Sequence, residues 1–358
     1  MARRPSGKAR ARALVKALGD DRVSIHGSRN VERVRVLPTG IDCLDVAVRA
    51  GGYPYGRIII VHGDEGTFKT TLGWHAIASA QQRGGIGIYQ NYERKLDLMY
   101  AQAIGVNMDE LVLHKPRSLE AGFHLMETSL DLIRDGDGGG LQGDPDCPII
   151  IVYDSIHAAK SGSAFNVKSS DRQRKGANKY EDSGFDQQAL KYAECVAKFV
   201  PALDDTSAIL LAISQIRIKM DDMRKRPKIA IGKAWAFYAS MAISVEAKAP
   251  AKRAGKKVER TGDVIEALVT KNQVGTPYGR CAFSMTYGLG ADIPNATLHA
   301  AVKLGIMEQS GSWYTFELAG KGHKFHGMDG MNKIAEKEPE VFAALREKIA
   351  RWIIGDKT

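Results

Sequence analysis

Residues 57–71 read Arg57-Ile58-Ile59-Ile60-Val61-His62-Gly63-Asp64-Glu65-Gly66-Thr67-Phe68-Lys69-Thr70-Thr71, and this stretch decides the fold. The apolar run up to Val61 is a buried strand by pattern, and helical spacing takes over from about residue 70 to 82. A strand, a glycine-containing loop and a Lys-Thr pair at the mouth of a helix present backbone N–H groups to phosphate oxygens. Gly63, Asp64, Glu65, Gly66, Thr67, Phe68, Lys69, Thr70 and Thr71 then surround the phosphates. Lys69 reaches the β- and γ-phosphates, and the Thr70 hydroxyl ligates Mg²⁺. Phe68 departs from the usual pattern. Glycine commonly occupies the position before the lysine, because the backbone bends sharply there and lies close to the phosphates.

Outward from this loop, strands alternate with helices. Further apolar runs occupy Ile86–Tyr89, Leu111–Leu113, Ile149–Tyr153, Ala208–Ile213, Ala242–Val245 and Val264–Val269, with helical periodicity near 96–104, 119–134 and 187–203. Short β-branched runs between amphipathic helices predict an α/β protein with a mostly parallel twisted sheet covered on both faces. Several strands end in chemistry. Tyr89-Gln90-Asn91-Tyr92-Glu93 places a carboxylate just past a strand end, where it can orient and deprotonate an attacking water; a solvated surface glutamate is the other reading. Pro148 to Val152 runs into Tyr153-Asp154-Ser155, so Asp154 supports the metal as a Walker B acid. Ile209–Ile213 runs into Ser214-Gln215, a neutral amide placed to sense a γ-phosphate. These groups converge at the carboxyl ends of the strands, where open α/β sheets bind ligands.

The bulk properties fit a nucleotide-dependent partner of a polyanion. The chain has 358 residues, 44% hydrophobic and 26% charged, and a formal net charge of +10. That length allows one large domain with extensions. Much of the charge is clustered at Arg3, Arg4, Lys8, Arg10 and Arg12, across 219–233, and from Lys248 to Arg260. Such clusters suit nucleic acid, although a basic run on its own also reads as a solvated face or tail. Cys43, Cys147, Cys195 and Cys281 are scattered without zinc or disulfide spacing, and no apolar stretch reaches membrane-span length. A cytoplasmic protein with no membrane partner is expected. Residues 1–12 are expected to be a basic arm, with a short helix from about Ala13 to Leu18 and an edge-strand pattern over Val31–Leu37. Two polar, basic interruptions fall at about 160–186 and 217–233, and the region after Gly290 reads as small and helical, with a second helix near 338–353.

The order of these motifs resembles the RecA family of homologous-recombination ATPases over roughly residues 13–350. Thr39-Gly40-Ile41-Asp42-Cys43-Leu44-Asp45 resembles its T-G-x-x-x-L-D approach to the core, and Glu93 to Ala101 its E-x-x-L-D-x-x-Y-A segment. Ser214 to Lys219, Phe237-Tyr238-Ala239-Ser240, Lys271-Asn272, Phe283 to Gly288 and Gly311-Ser312-Trp313-Tyr314 follow in order. The resemblance implies a basic arm with a polymerisation helix and strand over 1–37, a P-loop ATPase core over 38–290 and a small C-terminal domain over 291–358. It implies that Glu93 is the catalytic base and that Gln215 links the γ-phosphate to the DNA loop. Asp97 and Tyr100 would hold adenine, Tyr287 would lie beside the nucleotide, and Lys271 would reach the nucleotide of the neighbouring subunit. Many members carry a second lysine two residues later, where this chain has Gln273. The Phe68-Lys69 pair is similar to the phage UvsX branch, and the tail lacks the acidic extension typical of many bacterial members.

The two interruptions take the places of the family's DNA loops, L1 (about 160–186) and L2 (about 217–233). Lys168, Arg172, Arg174, Lys175 and Lys179 lie in the first. Arg217, Lys219, Arg224, Lys225, Arg226, Lys228, Gly232 and Lys233 lie in the second, beside Met220, Met223, Ile229 and Ile231. Cations bind phosphates and apolar side chains wedge between bases. The implied function is an ATP- and Mg²⁺-dependent recombinase that forms helical filaments on single-stranded DNA and exchanges strands with a homologous duplex. Its partners would be both DNA forms, further copies of itself, and single-strand-binding and mediator proteins. Two alternatives share these residues: a DNA motor or helicase on the same core, and a DNA-binding filament protein with little ATP turnover.

Overall fold

Pleating sends successive residues of a strand to opposite faces of its sheet. A strand buried on both sides is therefore apolar at every position. The strand before the phosphate loop follows this rule: Ile59 and Val61 join the core on one side of the sheet, Ile58 and Ile60 the core on the other. The computed structural model describes residues 7–18, 34–135, 147–161, 178–215, 233–248 and 261–355. Contacts divide the chain after Arg35 into two units. The first contains helix α1 (Gly7–Leu18), which begins well before the predicted Ala13. Alanine, lysine and arginine are good helix formers, so a stretch expected to be a basic arm is helical from Gly7.

The second unit is built on a nine-stranded sheet, whose strands are numbered here in chain order after two short strands, β1 (Val36–Leu37) and β2 (Tyr53–Pro54). Its members are β3 (Ile58–Gly63), β4 (Ile86–Asn91), β5 (Leu111–His114), β6 (Ile149–Asp154), β7 (Ile209–Gln215), β8 (Ala239–Lys248), β9 (Gly262–Asn272), β10 (Arg280–Thr286) and β11 (Gly290–Ala291). The order is β11-β10-β9-β8-β3-β7-β6-β4-β5. From β8 to β5 every neighbouring pair is parallel, and β9, β10 and β11 extend the sheet by antiparallel pairing.

Helices cover both faces. Helix α2 (Asp42–Val48) and helix α3 (Lys69–Gln81) lie on one, the latter through Leu72, Trp74 and Ile77. Helix α4 (Leu98–Ile104) follows β4. Helix α5 (Leu119–Asp135) and helix α6 (Asn178–Thr206) cover the other face through Phe123, Met126, Tyr192, Val196 and Phe199. Helix α6 begins at Asn178, inside the stretch expected to be loop up to residue 186. Helix α7 (Lys233–Tyr238) begins where the second interruption ends. Its Trp235 is fully buried and packs against Phe123, Tyr153 and Tyr192.

The region after Gly290 is not purely helical. Helix α8 (Ile293–Lys303) and helices α9 (Gly327–Lys337) and α10 (Pro339–Ile353) flank a three-stranded antiparallel sheet of β12 (Met307–Ser310), β13 (Trp313–Leu318) and β14 (Lys321–His326). The missed signal is turn chemistry. Leu318 pairs with Lys321 across Ala319 and Gly320, both at positive φ (49° and 76°), as a tight hairpin turn requires. Among the described residues no helix is long and apolar enough to cross a membrane.

A charged clasp joins α10 to the core. Asp42 is 6% exposed and accepts from Arg346 Nε and Nη2 and, at 2.6 Å, from the Thr297 hydroxyl. Removing one partner of such a pair strands the other in a poorly solvated site. Arg346→Ala is expected to lower unfolding free energy by about 3 kcal/mol in urea titrations. Nearby, burial pushes the Asp45 carboxyl up to about 8, against the hydrogen bond from the Thr39 N–H at 2.8 Å; the Asp42 charge adds to the rise. The native chain keeps this proton where the unfolded chain has lost it, so stability declines as pH climbs from 3.8 to about 8. Asp45→Asn retains the acceptor for Thr39. It is expected to exceed wild type by more than about 1 kcal/mol at pH 8 and to lose that advantage near pH 4, as read by denaturation at both pH values.

Candidate nucleotide site

The site lies where β3, β4, β6 and β7 end. Parallel register sets Gly63 beside Gln215 and Asn91 beside Asp154, so groups far apart in sequence finish at one edge. Gly63 is a packing necessity: a Cβ there would fall 2.3 Å from the Val245 carbonyl oxygen and 2.7 Å from Thr67 Oγ1. Gly66 has φ +76° and open space around it, a left-handed turn that glycine adopts without strain. Asp64 and Glu65 are exposed, whereas Thr67 is buried and donates its hydroxyl to the Asp64 carbonyl at 2.7 Å.

Lys69 opens α3 and is 7% exposed. Its ammonium donates to the Asp64 carbonyl and, at 3.2 Å, to Thr67 Oγ1, so it is folded back over the loop. Burial lowers its pKa, opposed by the carboxylates of Asp154, Asp64 and Glu93. Thr70 donates to Asp154 Oδ2 at 2.9 Å, and the Tyr89 hydroxyl donates to the same oxygen. Burial raises the Asp154 pKa; the Tyr89 hydrogen bond lowers it, Glu93 raises it, and Thr70 and Lys69 lower it. A hydroxyl and a carboxylate in contact beside the phosphate loop are the hard oxygen donors that Mg²⁺ selects. Glu93 is exposed past the end of β4, and its Oε1 accepts from Ser155 Oγ at 2.7 Å. The residue after Asp154 thus orients the carboxylate that follows β4.

Gln215 ends β7 with its N–H donated to His157 Nδ1 at 3.3 Å. Asp97 caps α4 by accepting the Tyr100 N–H at 3.0 Å, and the Tyr100 hydroxyl meets Thr71 Oγ1 at 2.9 Å. The predicted adenine pair is thereby attached to the helix that carries the phosphate loop. Phe68 has left-handed geometry (φ 60°, ψ 25°) as the N-cap of α3 and makes no side-chain cap. The strain is of order 1–2 kcal/mol for an L-residue. Its ring stacks on Tyr287, centroids 5.9 Å apart and 14° from parallel, which returns about 0.5–1.5 kcal/mol. The substitution for glycine is therefore near neutral for folding.

Lys271 lies at the far side of β8. Its ammonium donates to the carbonyls of Ala236 (2.9 Å) and Phe237 (3.3 Å) at the end of α7. Just before it β9 carries one extra residue, since Ala242 pairs with Lys271 and Ile243 with Val269. That residue, Thr270, donates to the Ala242 carbonyl at 3.2 Å and meets Nε2 of buried His62 at 3.5 Å. Burial and the Lys69 charge lower the His62 pKa to about 4. The structure therefore gathers Lys69, Thr70, Glu93 and Asp154 closely, with Thr71, Tyr100, Phe68 and Tyr287 along one side. Lys168, Arg172, Arg174, Lys175, Arg217, Lys219, Arg224, Lys225, Arg226, Lys228 and Gly232 lie outside the described residues, and Lys233 is the first residue of α7. Pattern reading passed over Tyr89, Ser155, His157 and Thr270 as functional supports. Tyr89 and Ser155 stood within quoted motifs, but a pairing across strands has no signal in a single sequence.

The RecA N-terminal domain family matches residues 8–292, most of the chain. The chain belongs to the RecA family. RecA proteins similar to it include that of Streptococcus thermophilus, 32% identical over 337 residues, which span 93% of this chain and 82% of that protein. The RecA of Streptococcus parasanguinis is 31% identical over 339 residues, spanning 94% and 82%. This RecA-family member is an ATP-binding, DNA-dependent ATPase and an ATP-dependent DNA recombinase; filament formation and strand exchange characterise its family. Because Ser155 holds Glu93 by hydrogen bond, Ser155→Ala is expected to slow DNA-stimulated ATP turnover about tenfold while leaving ATP affinity within about twofold, measured by steady-state phosphate release and nucleotide titration.

Proposed function

We propose that the edge of the sheet described above hydrolyses Mg²⁺-ATP to time the grip of this recombinase on DNA. The observation that carries the reading is the convergence of Lys69, Thr70, Asp154 and Glu93 beside a strand end that also bears Gln215. Backbone N–H groups of the 63–70 loop cradle the phosphates, and Lys69 exchanges its bonds to Asp64 and Thr67 for phosphate oxygens. Thr70 and Asp154 hold Mg²⁺, which when bound supplies positive charge to the phosphate oxygens. Glu93 takes a proton from the attacking water. Gln215 reads the γ-phosphate at the residue that precedes the second basic stretch, so loss of that phosphate loosens the stretch from DNA.

Single-stranded DNA runs along the cations of 160–186 and 217–233, and a homologous duplex is paired to it there. The 13–37 segment packs on the next subunit, and a head-to-tail contact of that kind propagates a helical filament. Lys271 serves the neighbouring nucleotide after leaving the α7 carbonyls, and Gln273 makes that interfacial trigger weaker than a second lysine would. Single-strand-binding and mediator proteins complete the partners in a cytoplasmic setting. The resemblance of the Phe68-Lys69 pair to the phage UvsX branch supports a phage-like member of the family.

Glu93→Gln is expected to keep ATP binding and filaments while DNA-stimulated turnover falls about a hundredfold or more. Lys69→Ala is expected to lose ATP binding. Electron microscopy with ATP and single strands, alongside phosphate release, reads both. Closed rings in place of open filaments, or unchanged turnover in Glu93→Gln, would reject the assignments. Neutralising Arg224, Lys225 and Arg226 together is expected to reduce the log–log salt slope of single-strand binding by about 2, as measured by anisotropy between low and moderate salt.

A further inference from the structure

Strand β3 is apolar from Ile58 to Val61 and then buries one polar side chain, His62, which is 4% exposed and stands one residue ahead of the phosphate loop. Its Nε2 meets Thr270 Oγ1 at 3.5 Å, and that hydroxyl donates its single proton to the Ala242 carbonyl at 3.2 Å. The proton between the two side chains is therefore the imidazole's, on Nε2, and Nδ1 is left a bare acceptor. Among the described residues Nδ1 has no hydrogen-bond partner. Burying such a group costs stability, and an apolar residue would continue the strand without that cost. Folding gives no reason for a histidine here.

The geometry of β9 supplies one. Successive residues of a regular strand face opposite sides, whereas a bulge sets two residues against one and re-aims the side chain beside it. Thr270 is the extra residue of the bulge, and Lys271 is the side chain beside it, since Ala242 pairs with Lys271 and Ile243 with Val269. Moving the extra residue one place along β9 would turn Lys271 to the other face of the sheet. Beyond Lys271 the strand is fastened again, where Asn272 donates to the Val48 carbonyl at 2.8 Å.

We propose that His62 and Thr270 are positioning residues, which together pin the bulge that aims Lys271 at the nucleotide of the neighbouring subunit. The proposal rests on the reading of Lys271 given above and deepens it. Thr270 satisfies the carbonyl opposite the bulge, and His62 braces Thr270 from β3, which lies beyond β8 in the sheet. Because β3 runs straight into the phosphate loop, the brace ties the aim of Lys271 to the strand that holds the subunit's own loop.

The test measures steady-state ATP hydrolysis with saturating single-stranded DNA for full-length wild type, Thr270→Val, Thr270→Ser, His62→Leu and the Thr270→Val, His62→Leu double variant, with Lys271→Ala as reference. Thr270→Val keeps a β-branched side chain suited to a strand and removes the donor. Its kcat is expected to fall about tenfold with KM for ATP within about twofold, because a misaimed cation is lost from the transition state and not from binding. Thr270→Ser retains the donor and is expected to stay within about twofold of wild type. The double variant is expected to be no slower than the slower single one, as for two groups acting through one bulge. The deciding readout is a mixed filament. Each variant is diluted into a large excess of Glu93→Gln chains, so that every site with an intact Glu93 faces a neighbour with an intact bulge. Thr270→Val and Lys271→Ala are then expected to recover about half or more of the per-site rate of wild type diluted in the same way. A Thr270→Val defect that persists in the mixture lies in the subunit's own phosphate loop and overturns the proposal, as does an unchanged kcat in the undiluted variant. A Lys271→Ala chain with full turnover, or one that the mixture does not rescue, overturns the reading of Lys271 itself, a result distinct from either.

Discussion

Between β3 and β7 the parallel ladder carries Gly63 alongside Gln215, and between β4 and β6 it carries Asn91 alongside Asp154. These two registers set the depth at which each strand stops, and the chemistry is arranged at that depth. Side-chain direction alternates along a strand, so a one-residue slip would turn Tyr89 away from Asp154 and exchange the two core faces. The cost would be large, because Ile150 and Val152 fill one core while Ile149, Ile151 and Tyr153 fill the other. Apolar packing on both faces is therefore what holds a polar site in alignment.

That dependence explains how much could be read from residue order. The six-stranded parallel portion and the helices between were legible because each strand carries an apolar run and each helix repeats its own period. The acids and the amide were legible as strand endings. Their partners were not. Tyr89 with Asp154, Ser155 with Glu93 and His157 with Gln215 are pairings between strands and loops that meet only after the sheet closes. The β12–β14 sheet was hidden for another reason, since Gly311-Ser312 and Ala319-Gly320 are turn signals that are brief beside the helical runs around them. The basic residues of L1 and L2 stand out by composition, and composition names a kind of ligand without a path for it.

Phe68 shows the limit of motif reading from the opposite side. A pattern that expects glycine treats any other residue as a defect, because the backbone there is left-handed. The folded chain keeps the left-handed geometry and places the ring against Tyr287, more than two hundred residues away in sequence. The conflict is local and the compensation distant. No window around residues 63–71 contains both.

The end of helix α7 has a mechanical consequence. Trp235 is sunk into the core on one side, and Lys271 fastens the helix's last carbonyls to β9 on the other. Gln215, at the other end of the second basic stretch, is fixed by the β7 ladder and by His157. Both described ends of that stretch are therefore moored to one rigid sheet. On the proposed path of DNA along this stretch, a pull on the strand meets no slack hinge at either mooring. The load passes into the strands that position the phosphate loop, so tension on the strand and occupancy of the nucleotide site share one stiff frame.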